Sequence, residues 1–310
     1  MDLFTVTDVA TGRGTLQYRE ECLTGLRCRI SPERLKRHID QILNIPDTSE
    51  GCPFCRENIF SITPTFPDGN RILKGESVTF PNMFPFAELH TVTVITRDHT
   101  VPSFTRQQIA DALQAQVESL LRSDGYPSIN WNYLPSAGAS IIHPHLQGIV
   151  APRPSWMAER YLSACKEYYH KTGNRYWDAV REQDRSSDRY LFGDEILWSA
   201  HAVPVGEREV RGLLPVARVD ELESYIDSLS QGILEIIYLY RKLGTYAFNM
   251  AIFFGREKTE TFSAFCSLIS RINPNPLSTS DSAFMERLHN EPIILTLPED
   301  LGQYYRNEGR

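Results

Sequence analysis

No apolar run in the chain approaches the ~20 residues that a membrane-spanning helix requires, so no membrane association is expected. Basic residues are also in short supply, since 32 Lys and Arg against 39 Asp and Glu leave a formal net charge of −7. A general nucleic-acid binder carries a basic face, so no nucleic-acid partner is expected either. A small phosphorylated substrate stays compatible, because a few arginines can hold a phosphate inside an acidic protein. The start, Met1-Asp2-Leu3-Phe4, has neither the basic head nor the apolar stretch of a secretory signal, and a cytoplasmic location is expected. Six cysteines in 310 residues are too sparse for a disulfide scaffold. Histidine is scarcer than its chemistry is useful: there are eight, and none falls between His201 and His289.

What is present reads as a globular chain, 41% hydrophobic and 23% charged, long enough for one large domain or two ordinary ones. Two helices stand out by period. Thr105 to Arg122 carries Ile109, Leu113, Val117 and Leu121 on one face, with Thr105 and Gln108 as a capping pair and Gly125 beyond its end. Asp220 to Leu243 repeats the pattern from Leu222 to Tyr240, with Asp220 and Glu223 as the cap and Gly244 as the stop. Each helix is flanked by strand-like segments: Leu89 to Thr96, Ser128 to Leu134 and Ala137 to Val150 around the first, and Glu209 to Val216, Tyr246 to Phe254 and Thr261 to Ile269 around the second. The same order of elements thus occurs twice, about 118 residues apart, as a duplicated unit would give. Asp184-Arg185-Ser186-Ser187-Asp188-Arg189 reads as a polar loop joining the halves, and Asn273 to Ser282 as a second loop before a short helix around Phe284 to His289.

The densest chemistry is His143-Pro144-His145-Leu146-Gln147. Residues i and i+2 of a strand share a face, so two imidazoles and an amide would project together. Such a pair also fits a purely structural role. Upstream lie Cys52-Pro53-Phe54-Cys55 and Asp98-His99. A closed zinc site takes four nitrogen or sulfur ligands, commonly two thiolates and two imidazoles; a redox pair is the other reading of Cys52 and Cys55. Cys22, Cys28, Cys165 and Cys266 are expected to be small buried apolar residues. Arg34 and Arg37 would share a face if Ser31-Pro32 opens a helical turn, either as phosphate ligands or as a solvated basic face.

The stretch Asn132-Tyr133-Leu134-Pro135-Ser136-Ala137-Gly138-Ala139-Ser140-Ile141-Ile142-His143-Pro144-His145-Leu146-Gln147 resembles the catalytic segment of the galactose-1-phosphate uridylyltransferases, a branch of the histidine-triad superfamily. Cys22-Leu23-Thr24-Gly25 followed by Ser31-Pro32-Glu33-Arg34-Leu35-Lys36-Arg37 is similar to that family's opening motif, and the C-x-x-C and Asp98-His99 fall in family order. Together these motifs cover most of residues 18 to 153. The resemblance implies an α+β fold of two repeats, each an antiparallel sheet with helices packed on it, joined into one extended sheet. Residues 1–153 would form the first repeat and residues 154–310 a degenerate second one. It implies His145 as the nucleophile that carries a nucleoside monophosphate, and Gln147 as donor to the phosphoryl oxygens. Cys52, Cys55, His99 and His143 would bind Zn²⁺. Arg34, Arg37, Asn132 and Ser140 would touch phosphates, Phe84 would sit against the nucleobase, and Asn82 would lie near the nucleoside. Partners would be a nucleotide-sugar or other nucleotide, a phosphate-bearing acceptor, and a second copy of the chain in a homodimer.

The second half departs from the family pattern, because Thr261-Phe262-Ser263-Ala264-Phe265-Cys266-Ser267 stands where a further H-x-H is common. A second metal site on those ligands is not expected; scaffold, dimer surface and part of a sugar pocket are. Glu286 and Glu291 only faintly echo the family's sugar-recognition segment. The expected activity is ping-pong transfer of a nucleoside monophosphate between a nucleoside diphosphate sugar and a sugar 1-phosphate. Phosphorolysis or hydrolysis of an ADP-sugar or dinucleoside polyphosphate shares the covalent step. A catalytically silent, zinc-stabilised nucleotide binder is the reading from another class, and it would need neither His145 nor Gln147.

Overall fold

The computed structural model describes residues 2–12, 14–36, 48–272 and 283–309. Its strands, in chain order, are β1 Phe4–Thr11, β2 Gly14–Glu21, β3 Arg27–Ile30, β4 Ile72–Lys74, β5 Ser77–Pro81, β6 Leu89–Val94, β7 Tyr126–Tyr133, β8 His145–Ala151, β9 Tyr190–Phe192, β10 Leu197–Ala200, β11 Val210–Leu213, β12 Phe248–Phe253, β13 Phe265–Ser270 and β14 Ile293–Ile294. The α-helices are α1 Ile59–Ile62, α2 Arg106–Leu120, α3 Trp156–Thr172, α4 Tyr176–Arg185, α5 Ile226–Lys242, α6 Ala283–Leu288 and α7 Pro298–Tyr304. Ten strands make one sheet in the order β4-β5-β6-β8-β7-β12-β13-β11-β10-β9, and β1, β2, β3 and β14 make a small second sheet. The α+β class and the extended antiparallel sheet are as the sequence implied. Strands from before residue 153 occupy one side of the large sheet and later ones the other, meeting where β7 pairs antiparallel with β12.

Alternation decides which face of this sheet is filled. On β7, Pro127, Ile129, Trp131 and Tyr133 are buried while Tyr126, Ser128, Asn130 and Asn132 are half-buried on the opposite face. On β12, Phe248, Met250 and Ile252 are buried and Asn249, Ala251 and Phe253 are not fully so. The buried sets pack beneath α2 and α5, with Ile109, Leu113, Ile233 and Ile237 in the main core. Each such fully buried side chain contributes about 1.5–3 kcal/mol relative to exposure. The other face carries Asn130, Asn132 and Asn249 at its centre and, toward Phe253 and Phe265, a second core with Tyr161 and Trp177; the candidate site lies on its polar part.

The first helix begins as its sequence predicts, with Thr105 and Gln108 forming a reciprocal capping box. The second does not begin at Asp220. A 3₁₀ turn runs over Val219–Tyr225 and the α-helix starts at Ile226. Glu221, not Glu223, accepts from the backbone N–H groups of Ala217 and Arg218, while Asp220 is drawn to the Arg218 guanidinium. The strand expected over Ala137 to Val150 shrinks to β8. Ahead of it Pro135–Ala137 forms a 3₁₀ turn, with Leu134 at φ 72° and Gly138 at φ 89°, and Pro144 has no N–H for a ladder. His143 therefore precedes the strand that carries His145 and Gln147. Asp184 to Arg189 is no simple polar joint: Asp184 lies in α4 and forms a buried ion pair with Arg189. Cys28, Cys165 and Cys266 are buried as expected, but Cys22 is exposed. The short helix near Phe284 is α6, whereas Arg37 and the loop residues 273–282 lie outside the described residues.

Candidate active site and metal centre

Cys52, Cys55, His99 and His143 converge, with one ligand atom from each lying within 4.8 Å of the others. Cys55 Sγ is 3.5 Å from His99 Nδ1 and 3.7 Å from His143 Nδ1, and Cys52 Sγ is 3.8 Å from His143 Nδ1. A tetrahedral ion with metal–sulfur bonds of about 2.3 Å and metal–nitrogen bonds of about 2.0 Å separates sulfur from nitrogen by about 3.5 Å, so the donor set fits such an ion. His143 Nε2 lies 2.8 Å from the Thr96 carbonyl. Its N–H donates there, which turns the Nδ1 lone pair toward the thiolates. Burial, aided by the neighbouring His99 and His145, pushes the His143 imidazole down to about 4, so it offers a lone pair at neutral pH. The loop bearing the two cysteines seats Phe54 and Ile59 against Val78, Phe80, Val92 and Val94 in a small separate core. That core anchors the loop over β5 and β6.

His145 opens β8 and is only 6% exposed. Its Nδ1 lies 2.8 Å from the His143 carbonyl oxygen, so Nδ1–H donates to its own chain and Nε2 keeps a lone pair. Burial holds the imidazole below its usual range, which keeps it neutral. The Phe54 ring stands edge-on, 5.2 Å away, and restricts its rotation. Two residues on, Gln147 projects from the same face of β8 and its Oε1 lies 2.9 Å from His90 Nε2. His90 is 3% exposed on β6, and Asn82 Nδ2 approaches the same nitrogen at 3.1 Å. Asn82 Oδ1 in turn accepts the Phe84 backbone N–H at 2.9 Å.

The neighbouring strands continue this polar surface. Asn130 on β7 faces Gln147 across the ladder, and Asn132 on β7 faces Asn249 on β12. Asn249 Nδ2 lies 2.7 Å from both Asn132 Oδ1 and the Ala137 carbonyl, tying the turn before β8 to the sheet. Farther across, Ala251 faces Ser267, which faces Arg211 on β11. Where the second half lacks histidines it holds a buried ion pair, Arg211 Nε to Glu209 Oε1 at 2.7 Å, with Ser267 Oγ donating to Glu209. A cavity of about 270 Å³ opens over this stretch, where Asn132, Asn249 and Arg211 share the wall with Met157, Phe253 and Phe265.

The residues singled out in the sequence are distributed unevenly. The four metal-ligand candidates, His145 and Gln147 come together, and Asn82 joins them through His90. Phe84 is 80% exposed beside Asn82, and Ser140 is exposed in the turn before β8. Arg34 belongs to the 3₁₀ turn Pro32–Lys36 that follows β3. Glu291 is bound to Arg29 at 2.9 Å. Sequence reasoning passed over His90, Phe54 and Asn249. The signal available for His90 was its scarcity as a histidine, two residues ahead of Val92 on a predicted strand.

No family model matches the chain. It is 26% identical over 272 residues to an uncharacterized protein of Archaeoglobus fulgidus, a match covering 84% of this chain and 82% of that one. Among solved structures it superimposes on an ADP-glucose phosphorylase from Arabidopsis thaliana with bound ADP-glucose, with TM-score 0.75, 17% identity, and 94% and 98% of the two chains covered. A GalT-like protein from the same plant gives TM-score 0.73 at 16% identity over 94% and 98%, and a uridylyltransferase 0.68 at 18% over 93% and 97%. The chain shares the fold of these three structures over nearly its whole length.

Proposed function

We propose that the chain is a nucleotidyltransferase that works by ping-pong through a nucleotide held on His145. The observation that carries this reading is the fixed tautomer of His145, whose Nδ1–H is spent on the His143 carbonyl while Nε2 is left as a lone pair. In the first half-reaction Nε2 attacks the α-phosphorus of a nucleoside diphosphate sugar. The phosphorus–oxygen bond to the sugar phosphate breaks, and sugar 1-phosphate leaves with its electron pair. In the second, a phosphate oxygen of the acceptor attacks the same phosphorus and His145 recovers its lone pair. Splitting the transfer this way replaces one hard step with two easier ones. Gln147 donates an amide N–H to the non-bridging oxygens as charge builds there, without offering a proton that would quench the nucleophile.

We assign zinc to Cys52, Cys55, His99 and His143; the ion would act as a clamp that fixes the residues leading into β8. Arg34 and Arg37 would bring guanidinium groups to the phosphates, Asn132 and Ser140 would bond them, and Phe84 with Asn82 would receive the nucleoside. The cavity beside Asn132 and Asn249 suits the sugar, because their amides can donate to and accept from hydroxyls while Phe253 and Phe265 offer apolar surface to the ring. We further propose residues 1–153 and 154–310 as the two repeats, a homodimer, and a cytoplasmic setting; among the described residues no helix is long and apolar enough to cross a membrane.

The likeness to an ADP-glucose phosphorylase favours keeping a second reading, in which inorganic phosphate is the acceptor. Incubation with α-labelled UDP-glucose or ADP-glucose tests the shared step. Acid-labile label on the protein is expected, and its chase by galactose 1-phosphate or by inorganic phosphate tells the two acceptors apart. Absence of protein-bound label with every nucleotide tried overturns the enzymatic reading.

A further inference from the structure

We propose that His90 is a positioning residue whose single N–H decides whether Gln147 holds a donor toward the phosphoryl group. The inference rests on the nucleotidyl-transfer reading, but its structural part stands alone. His90 lies on β6 beside β8, where Gln147 is paired with Val92. Its Nε2 meets two amides at once: Gln147 Oε1 at 2.9 Å and Asn82 Nδ2 at 3.1 Å. Its other nitrogen, Nδ1, is buried with no hydrogen-bond partner among the described residues. The Phe86 ring packs against the imidazole with centroids 4.3 Å apart, and burial lowers its proton affinity.

A neutral imidazole has one N–H, so Nε2 cannot both donate to Gln147 and accept from Asn82. Asn82 cannot resolve the conflict by turning its amide over, because its Oδ1 is committed to the Phe84 N–H. Two arrangements follow. With the proton on Nε2, His90 donates to Gln147 Oε1, and the Gln147 NH₂ is presented outward as a donor; Asn82 Nδ2 must then find another acceptor. With the proton on Nδ1, the single Nε2 lone pair accepts from Asn82 and repels Gln147 Oε1, so the Gln147 amide loses its anchor and no donor is held toward the anionic phosphate. Only the first arrangement supports transfer. Asn82 and Phe84 are the residues assigned to the nucleoside, so an acceptor atom on the nucleoside would draw Asn82 Nδ2 away and commit His90 to Gln147. Nucleoside binding would thereby set the donor that the phosphoryl group needs.

The test uses the metal-loaded full chain. A glutamine at this position carries its NH₂ where Nε2 stands, whereas an asparagine reaches only as far as Nδ1. His90→Gln is expected to form nucleotidyl-protein from α-labelled ADP-glucose or UDP-glucose within about threefold of the parent rate. His90→Asn is expected to lose about 10- to 100-fold in that rate, the range that supporting hydrogen bonds command at metal sites, with KM changed by less than about threefold. Equal loss in both variants, or loss in neither, overturns the proposal. Nitrogen-15 NMR of histidine-labelled protein supplies a readout independent of turnover. The Nε2–H tautomer of His90 is expected with nucleoside monophosphate bound, and the Nδ1–H tautomer in that state overturns the proposal even if the parent never labels. Parent protein that shows the Nε2–H tautomer yet takes up no label from any nucleotide overturns the transferase reading alone.

Discussion

His145 and Gln147 stand two residues apart on β8, and each has one polar atom already spent, on the His143 carbonyl and on His90 respectively. What remains, a lone pair and an amide donor, is what attack on a phosphoanhydride linkage needs. Replacing His145 by Gly should abolish protein labelling while nucleotide affinity, measured by calorimetry, survives; retained labelling would move the nucleophile elsewhere. Gln147→Ala should slow nucleotidyl-protein formation by about 10²- to 10³-fold, as loss of one preorganised donor to a developing oxyanion does. Rapid-quench kinetics check this, and a parent-like rate would remove Gln147 from the chemistry. These two residues were legible because they share one short block whose spacing alone places them on one face. His90 was not, since its significance exists only through the adjacent strand, and nothing local in Leu89-His90-Thr91 points to Gln147.

Strand β8 owes its position to what lies on both sides of it. Beneath it, helix α2 approaches so closely that a Cβ at Gly148 would meet Gln116 Oε1 at 2.0 Å and Thr91 Oγ1 at 2.7 Å. Gly148→Ala should therefore cost about 1–3 kcal/mol, the usual penalty for overfilling a packed site. Relief requires either that Gln116 give up its hydrogen bonds with Thr91 and Ser119 or that β8 shift, and in the second case labelling should fall as well. Urea denaturation measures the stability cost, and an unchanged midpoint would contradict the close approach. Above, Cys52, Cys55, His99 and His143 converge beside the segment that enters β8, where the proposed zinc would hold it. Removing the ion with a chelator should lower the thermal midpoint by several degrees, given that about 1 kcal/mol corresponds to roughly 2–4 °C in chains of 150–250 residues. Zinc readdition should restore both stability and labelling. A midpoint indifferent to chelator would remove the clamp. At this scale the long amphipathic helices and their neighbouring strands were readable from period. The entry to β8 was not, because two prolines and a left-handed Leu134 convert an apparent strand into a turn. The start of α5 was misread by one capping pair because Glu221 and Glu223 fit the same motif and only tertiary contacts choose between them.

The molecule as a whole joins two sets of strands at β7 and β12 and aligns a row from Gln147 through Asn130, Ala251 and Ser267 to Arg211. That row became legible only with the register in hand, since Asn130, Ala251, Ser267 and Arg211 are far apart in sequence and align only across four strands. The small sheet is a global feature too: β14, from the far end of the chain, pairs with β3. Buried imidazoles make global stability depend on pH. His90 and His201 are both held below the ordinary imidazole range, first by burial, and for His201 also by Arg211 and Arg189. In the folded protein they stay neutral, whereas the unfolded chain protonates them below about pH 6.5. The unfolded state then binds more protons, so their contribution is complete above about pH 6.5 and is lost as pH falls toward the depressed folded values. Denaturation at pH 7.5 and 5.5 should show a lower midpoint in acid, and the His90→Gln, His201→Gln double variant a smaller drop; identical drops would contradict this. The most direct test of the account is the intact mass of the whole chain after brief exposure to ADP-glucose or UDP-glucose. The account predicts a gain of one nucleoside monophosphate that acid removes and that maps to His145, and a mass unchanged with both nucleotides, or an adduct on any other residue, would contradict it.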